Sequence, residues 1–320
     1  MNTTTTHLAF ALLVCLLSSC SAEGDRDGNI LPEGKYPLTF TASVDATVET
    51  RATSDNTWSA GDQIAVRAEV DGEQVVKTYI CNADGLFTVA SGDPFYWEST
   101  KEKKRIDAWY CGDGSTAPGE DYEKVLPTEW EVQTDQSRNG FQKSDFLHTG
   151  PLDILFSSVS NTIQFQHKVA RVVINIMKTE YLQTAEDIAS VILGRNDNIS
   201  LRHTYYPSSN IGGTGTTTGG NLPKGTIIPK DITSSPADDN ILKTYTAFLP
   251  LQALRNTELF GLELKNGEVY YYKDDVLLPG STYIYNVSIK AGRIDVVVLD
   301  EAGGTWGPGG GVIESLTSSK

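Results

Sequence analysis

From residue 36 onward the chain alternates apolar and polar positions with a period of two. Tyr36, Leu38, Phe40, Ala42 and Val44 interleave with Pro37, Thr39, Thr41 and Ser43, the signature of a strand with one buried and one wet face. The same pattern predicts strands at Gln63–Val70, Val75–Cys81, Arg105–Tyr110, Thr162–Phe165, Ala170–Met177, Ile188–Leu193, Tyr245–Leu249, Leu259–Leu264, Glu268–Tyr272, Thr282–Ile289 and Ile294–Leu299. Turn pairs such as Asp71-Gly72, Asp84-Gly85, Asn266-Gly267 and Pro279-Gly280 stand between them, and Leu264 to Val269 reads as the clearest hairpin. Helical spacing is weak, with a single helical turn expected at Leu251–Asn256 after Pro250. Many short strands joined by turns argue for all-β sandwiches rather than alternating β/α units.

The 320 residues, 39% of them hydrophobic, suffice for two packed cores. The stretch Gly112–Gly150 is rich in turn residues, and a new run of strands starts near Phe165. We therefore expect one β-sandwich at 35–157 and a second at 158–320.

The first 34 residues differ from the rest. Leu8–Leu17 is an apolar run of ten residues, too short to cross a hydrocarbon layer that needs about 20, and it reads as the core of a signal peptide at 1–19. Directly after it, Leu17-Ser18-Ser19-Cys20 resembles the lipobox of bacterial lipoprotein precursors, which implies acylation of the Cys20 thiol. Two or three acyl chains anchor stably, since each buried CH₂ contributes about 0.8 kcal/mol. Residues 20–34 are then a polar tether, and their acidic start resembles the surface-export signal of Bacteroidetes lipoproteins.

Charge and cysteine content narrow the partners. With 26 basic against 41 acidic side chains the formal charge is −15, which repels a phosphate backbone and excludes nucleic acid as a partner. Once Cys15 and Cys20 are set aside, Cys81 and Cys111 remain as a candidate disulfide in an oxidising compartment. Motifs for catalysis are missing: the chain has no HExxH, GxSxG or GxxxxGK[ST]. His148, His167 and His203 lack carboxylate or cysteine neighbours at a ligand spacing, and we read His167 as a structural histidine. The run Gly212–Gly220 lacks the lysine of a phosphate loop, and Asp25–Asn29 starts like a calcium loop without its closing glutamate. No metal, cofactor or enzymatic activity is expected. The aromatic groups Tyr96-Trp97, Trp109-Tyr110, Tyr205-Tyr206 and Tyr270–Tyr272 offer stacking faces, although neighbours on a strand point to opposite sides and about half should be core.

The order of several short segments carries a resemblance. Thr50–Thr53, Trp58–Val66, Asp153–Phe156, Phe165–Val172, Leu278–Val287 and the closing approach to Trp306 resemble the fimbrillin-like (Mfa-like) proteins of Bacteroidales. The resemblance implies two tandem transthyretin-like β-sandwiches, delivered as an outer-membrane lipoprotein to the cell surface and assembled into fimbriae with other subunits by donor-strand exchange. It further implies that an arginine-specific protease releases the first strand, and Arg51, just after the Tyr36–Val48 strand, is the matching residue. The donor is expected from Ile294–Leu299 or Val312–Leu316. Stalk, tip, anchor and accessory roles all stay open, and the alternative is a monomeric surface lipoprotein that binds glycans or host ligands through its aromatics.

Overall fold

The structure, a computed structural model, describes residues 35–44, 58–112, 125–127, 129–156, 161–204, 222–234, 240–277 and 282–299. These residues form an all-β protein whose longer strands gather into two sheet systems, with three two-stranded pairs beside them.

The first system contains β1 (Phe40–Val44), β2 (Gln63–Val70), β3 (Glu73–Cys81), β4 (Leu86–Val89), β5 (Lys103–Cys111), β6 (Phe146–His148), β7 (Leu152–Leu155) and β8 (Asn161–His167). Neighbours run β5-β2-β3-β4-β1-β8-β6, and β6 returns to β5 through Trp109↔His148 and Cys111↔Phe146. The sheet thus closes on itself, which removes exposed edges along most of its length, while β7 covers the first half of β5. Type I′-like geometry at Asp71-Gly72, both with positive φ, sets the tight β2–β3 hairpin in register Val70↔Glu73.

Period-two alternation sorts the side chains of this ring between two cores. Ile64, Val66 and Ala68 of β2 and Ile106, Ala108 and Tyr110 of β5 point into the ring with Phe40, Tyr79, Phe87 and Phe165. The intervening Ala65 and Trp109 point outward, yet they are also fully buried, because they join the second core. Both faces of β2 and β5 are therefore covered at that end, which explains the short continuous apolar runs Ile64–Val66 and Ala108–Cys111 within them.

The second system is a two-layer sandwich. One layer holds β9 (Ala170–Met177), β11 (Lys230–Asp231), β12 (Ile241–Leu249), β15 (Thr282–Lys290) and β16 (Arg293–Leu299), ordered β11-β12-β9-β15-β16. The other holds β10 (Ile188–Leu193), β13 (Gln252–Leu264) and β14 (Val269–Leu277), ordered β10-β13-β14. Tyr285 of the first layer meets Phe260 and Tyr272 of the second at ring centroid separations of 5.5 and 5.4 Å. The hairpin expected at Asn266-Gly267 is present, with Gly267 at φ 87° and the Leu264 N–H bonded to the Glu268 carbonyl at 2.9 Å.

Three local readings need correction. Leu251–Asn256 is not a helical turn: Gln252 and Ala253 pair with Leu277 and Val276 as the start of β13, and cross-strand pairing overrides a weak local preference. The turn-rich stretch before residue 150 contains a short helix, α1 (Asn139–Ser144), with Phe141 and Ser144 buried. Beside it, the fully buried Gln136 side chain bonds both the N–H and the carbonyl of Phe248 at 2.8 Å, so this segment is stitched to β12. Finally, Asn161–His167, which lies beyond the boundary expected near 157, hydrogen-bonds into the first sheet, parallel to β1.

Candidate functional site

The strand Phe40–Val44 is the element that the sequence singles out, and it sits inside the first sheet rather than at its edge. β1 lies between β8 and β4, parallel to the former in register Phe40↔Asn161 through Val44↔Phe165, and antiparallel to the latter through Phe40↔Phe87 and Thr41↔Leu86. Leu38 and Phe40 are fully buried and Val44 nearly so, as the alternation requires. Phe40 stacks between Tyr79 and Phe87 at 5.4 and 5.6 Å. On the polar side, Thr41 and Thr162 join their hydroxyls at 2.8 Å, and the Leu38 N–H donates to the Phe95 carbonyl at 2.6 Å.

Removing this strand would leave two unpaired strand edges, of β4 and β8, facing each other across a floor of Tyr79, Phe87, Phe95, Ile163 and Phe165. Burial of one large apolar side chain contributes about 1.5–3 kcal/mol, so Leu38, Phe40 and Val44 together supply about 5–9 kcal/mol. That is the size of a whole domain's net stability. A chain that loses β1 must therefore refill the groove or lose this core.

Arg51 and Cys20 lie outside the described residues. Cys81 and Cys111 are both free thiols, so the expected disulfide is not formed. Cys81 ends β3 inside the first core, Cys111 ends β5 against the second core, and β2 runs between them. Two inter-strand spacings amount to about 9.6 Å, beyond the ~7 Å Cα limit of a disulfide, and the side chains leave the sheet on opposite faces. Burial pushes the Cys111 thiol well above its ordinary range.

The tertiary structure also brings together carboxylates and histidines that sequence spacing keeps apart. His148 Nε2 bonds Asp107 Oδ1 at 2.5 Å, and Arg67 pairs with the other oxygen of Asp107. Burial alone would push the Asp107 carboxyl up, but the hydrogen bond and charge of His148 and the charge of Arg67 hold it below its usual value. Burial lowers His148 despite this partner. His167 Nδ1 bonds Asp145 Oδ1 at 2.7 Å. With the His148 side chain fully buried and that of His167 only 2% exposed, no substrate reaches either ring, and both pairs pin β6 and β8 to their neighbours.

The aromatic groups are mostly core. Trp97, Trp109, Tyr110, Tyr270 and Tyr272 are buried, Tyr271 is covered by the Arg195 guanidinium at 4.2 Å from its ring centre, and Tyr205-Tyr206 lies outside the described residues. Among the described residues no cluster of His, Cys, Asp or Glu could hold a metal ion, and no helix is long and apolar enough to cross a membrane.

The fimbrillin-like family matches residues 50–302. The chain belongs to that family. It is accordingly a fimbrial-type, non-enzymatic subunit. Solved structures share the fold: a candidate cell adhesion protein from Bacteroides ovatus is 19% identical with a TM-score of 0.59, covering 82% of this chain and 96% of that one. A second from Bacteroides uniformis is 16% identical with a TM-score of 0.57, covering 84% and 98%. No curated protein matches this fimbrillin-like chain in sequence.

Proposed function

We propose that this fimbrillin-like protein is exported as a lipoprotein on Cys20, held at the outer-membrane surface, and cut after Arg51 so that β1 leaves and a strand from another fimbrial subunit takes its place. The observation that supports this most is the position of β1. It is a strand inserted between two others, with a large apolar footprint and a parallel partner, rather than an outer strand that could be lost at little cost. An incoming strand would recover the main-chain hydrogen bonds of β4 and β8 and fill the Phe40 and Val44 positions, the mode of recognition known as β-augmentation.

The donor of this subunit is drawn from residues after Leu299. Ile294–Leu299 is already committed, because β16 pairs with β15 over Ile284↔Leu299 to Lys290↔Arg293. Val312–Leu316 is the β-prone stretch that remains. The assembled fimbrium serves adhesion at the cell surface.

The test is the N-terminal residue and assembly state of protein taken from its native membrane, before and after an arginine-specific protease. A mature form starting at Ala52 that runs as ladders in mild detergent supports strand exchange. A form starting at acylated Cys20 that stays monomeric after cleavage refutes it and leaves a lipid-anchored binding module.

A further inference from the structure

A cleft of about 170 Å³ opens where the first sheet, α1 and the second sheet meet. Its volume is close to the ~150 Å³ cavity that holds one benzene molecule, so it has room for a single six-membered ring. Its lining is not that of a benzene site. Trp58, Tyr110, Phe141 and Phe248 supply aromatic surface, while Asp62, Asp145 and Lys230 supply charge.

The polar groups are partly committed. One Asp62 oxygen accepts the Ser59 N–H at 2.7 Å, and one Asp145 oxygen takes the His167 ring nitrogen at 2.7 Å. Each carboxylate keeps its second oxygen as an acceptor. The Trp58 indole N–H is sealed from solvent and has no hydrogen-bond partner, so Trp58 contributes ring surface to the cleft and no donor. Lys230 Nζ sits 4.8 Å over the Phe141 ring. The cleft thus presents two open anionic acceptors, the Lys230 ammonium as donor and a set of ring faces, with a net charge of −1.

Each class of ligand can be weighed against that set. An anion would meet two carboxylates. A plain aromatic or aliphatic group would strand both acceptors. A ring that carries several hydroxyls satisfies all of them: hydroxyls donate to the carboxylates and accept from Lys230, and the C–H face of the ring rests on the aromatics. From this we infer that the cleft binds one pyranose unit of a neutral or amino sugar, as the adhesive contact of the subunit. The inference deepens the adhesive reading above and does not depend on strand exchange.

The experiment uses purified, uncleaved full-length protein, so that a failure of polymerisation cannot be mistaken for a failure of binding. A printed glycan array selects a sugar, and calorimetric titration with that sugar follows. Affinity in the about millimolar range is expected for one ring in so small a site. Gln142→Trp, at an exposed position on the rim, should abolish binding without altering the thermal midpoint. Asp62→Asn should weaken it about tenfold through loss of one charge-assisted hydrogen bond, and Tyr181→Ser, at a 52% exposed position that does not line the cleft, should leave it unchanged. The inference is overturned if no glycan is retained, if Gln142→Trp binds as well as the parent, or if arginine methyl ester rather than any sugar is displaced by Gln142→Trp, which would assign the cleft to a basic side chain.

Discussion

Acidification should loosen the strand pair that carries His203, and the size of the effect follows from its burial. His203 sits on the strand Arg202–Thr204 opposite Trp130 of Glu129–Glu131. The residue is 1% exposed and neither ring nitrogen has a hydrogen-bond partner. Burial pushes its pKa down from 6.5 to about 4. Between those values the unfolded chain holds a proton that the folded chain refuses. Stability therefore rises with pH across this window and is lost as pH falls through it. At 1.36 kcal/mol per pH unit the full loss is ~3 kcal/mol by pH 4, with ~2 kcal/mol already gone at pH 5. His203→Leu removes the titrating group and two unsatisfied nitrogens, so the variant should gain ~1–2 kcal/mol at pH 7 and more at pH 4.5. Urea unfolding of both proteins at pH 7, 5.5 and 4.5, followed by tryptophan fluorescence, reads the difference directly, and it isolates His203 from His148, which titrates with the same sign. Equal pH dependence in the two proteins, or a His203 proton resonance titrating near pH 6.5, would refute the reasoning.

Three further outcomes are expected. Phe40→Ala should destabilise the first core by ~3–5 kcal/mol in urea unfolding, and a cost under ~1 kcal/mol would mean that β1 is not packed as described. Gly140→Ala places a Cβ 1.8 Å from the Asp135 carbonyl oxygen, a backbone clash that should cost ~1–3 kcal/mol or more and appear as a lowered thermal midpoint, whereas an unchanged midpoint contradicts the local geometry. Thiol titration of the mature chain should find Cys81 and Cys111 unreactive while folded and both reactive in denaturant without reductant. If neither reacts in denaturant, the two are bonded.

How much of this protein was legible in sequence depends on the range of the interaction concerned. Gln63–Val70, Ala170–Met177 and Ile188–Leu193 appear with the residue bounds that their alternation predicts. The Asp71-Gly72 and Asn266-Gly267 turns sit where their φ > 0 preference places them. These are local properties: a period of two, a residue that tolerates a left-handed backbone, a polar residue that favours a turn. The all-β class and the family resemblance rest on the same short-range signals.

What lay beyond the sequence concerns choice of partner. Alternation says that Asn161–His167 is a strand, but not that it runs parallel to Phe40–Val44 some 120 residues earlier and helps close the first sheet. It says that Trp109 and Tyr110 face opposite sides, but not that both sides are buried, since only the approach of the second core covers Trp109. Asp107 with His148, Asp145 with His167 and the three-walled cleft are assembled by residues from separate strands. The sequence alone determined an acidic, strand-rich chain led by an apolar decapeptide and a cysteine. Tertiary packing decided which faces are buried, which thiols stay apart and which polar groups meet, because each of those outcomes depends on burial shared between segments that the chain itself does not place side by side.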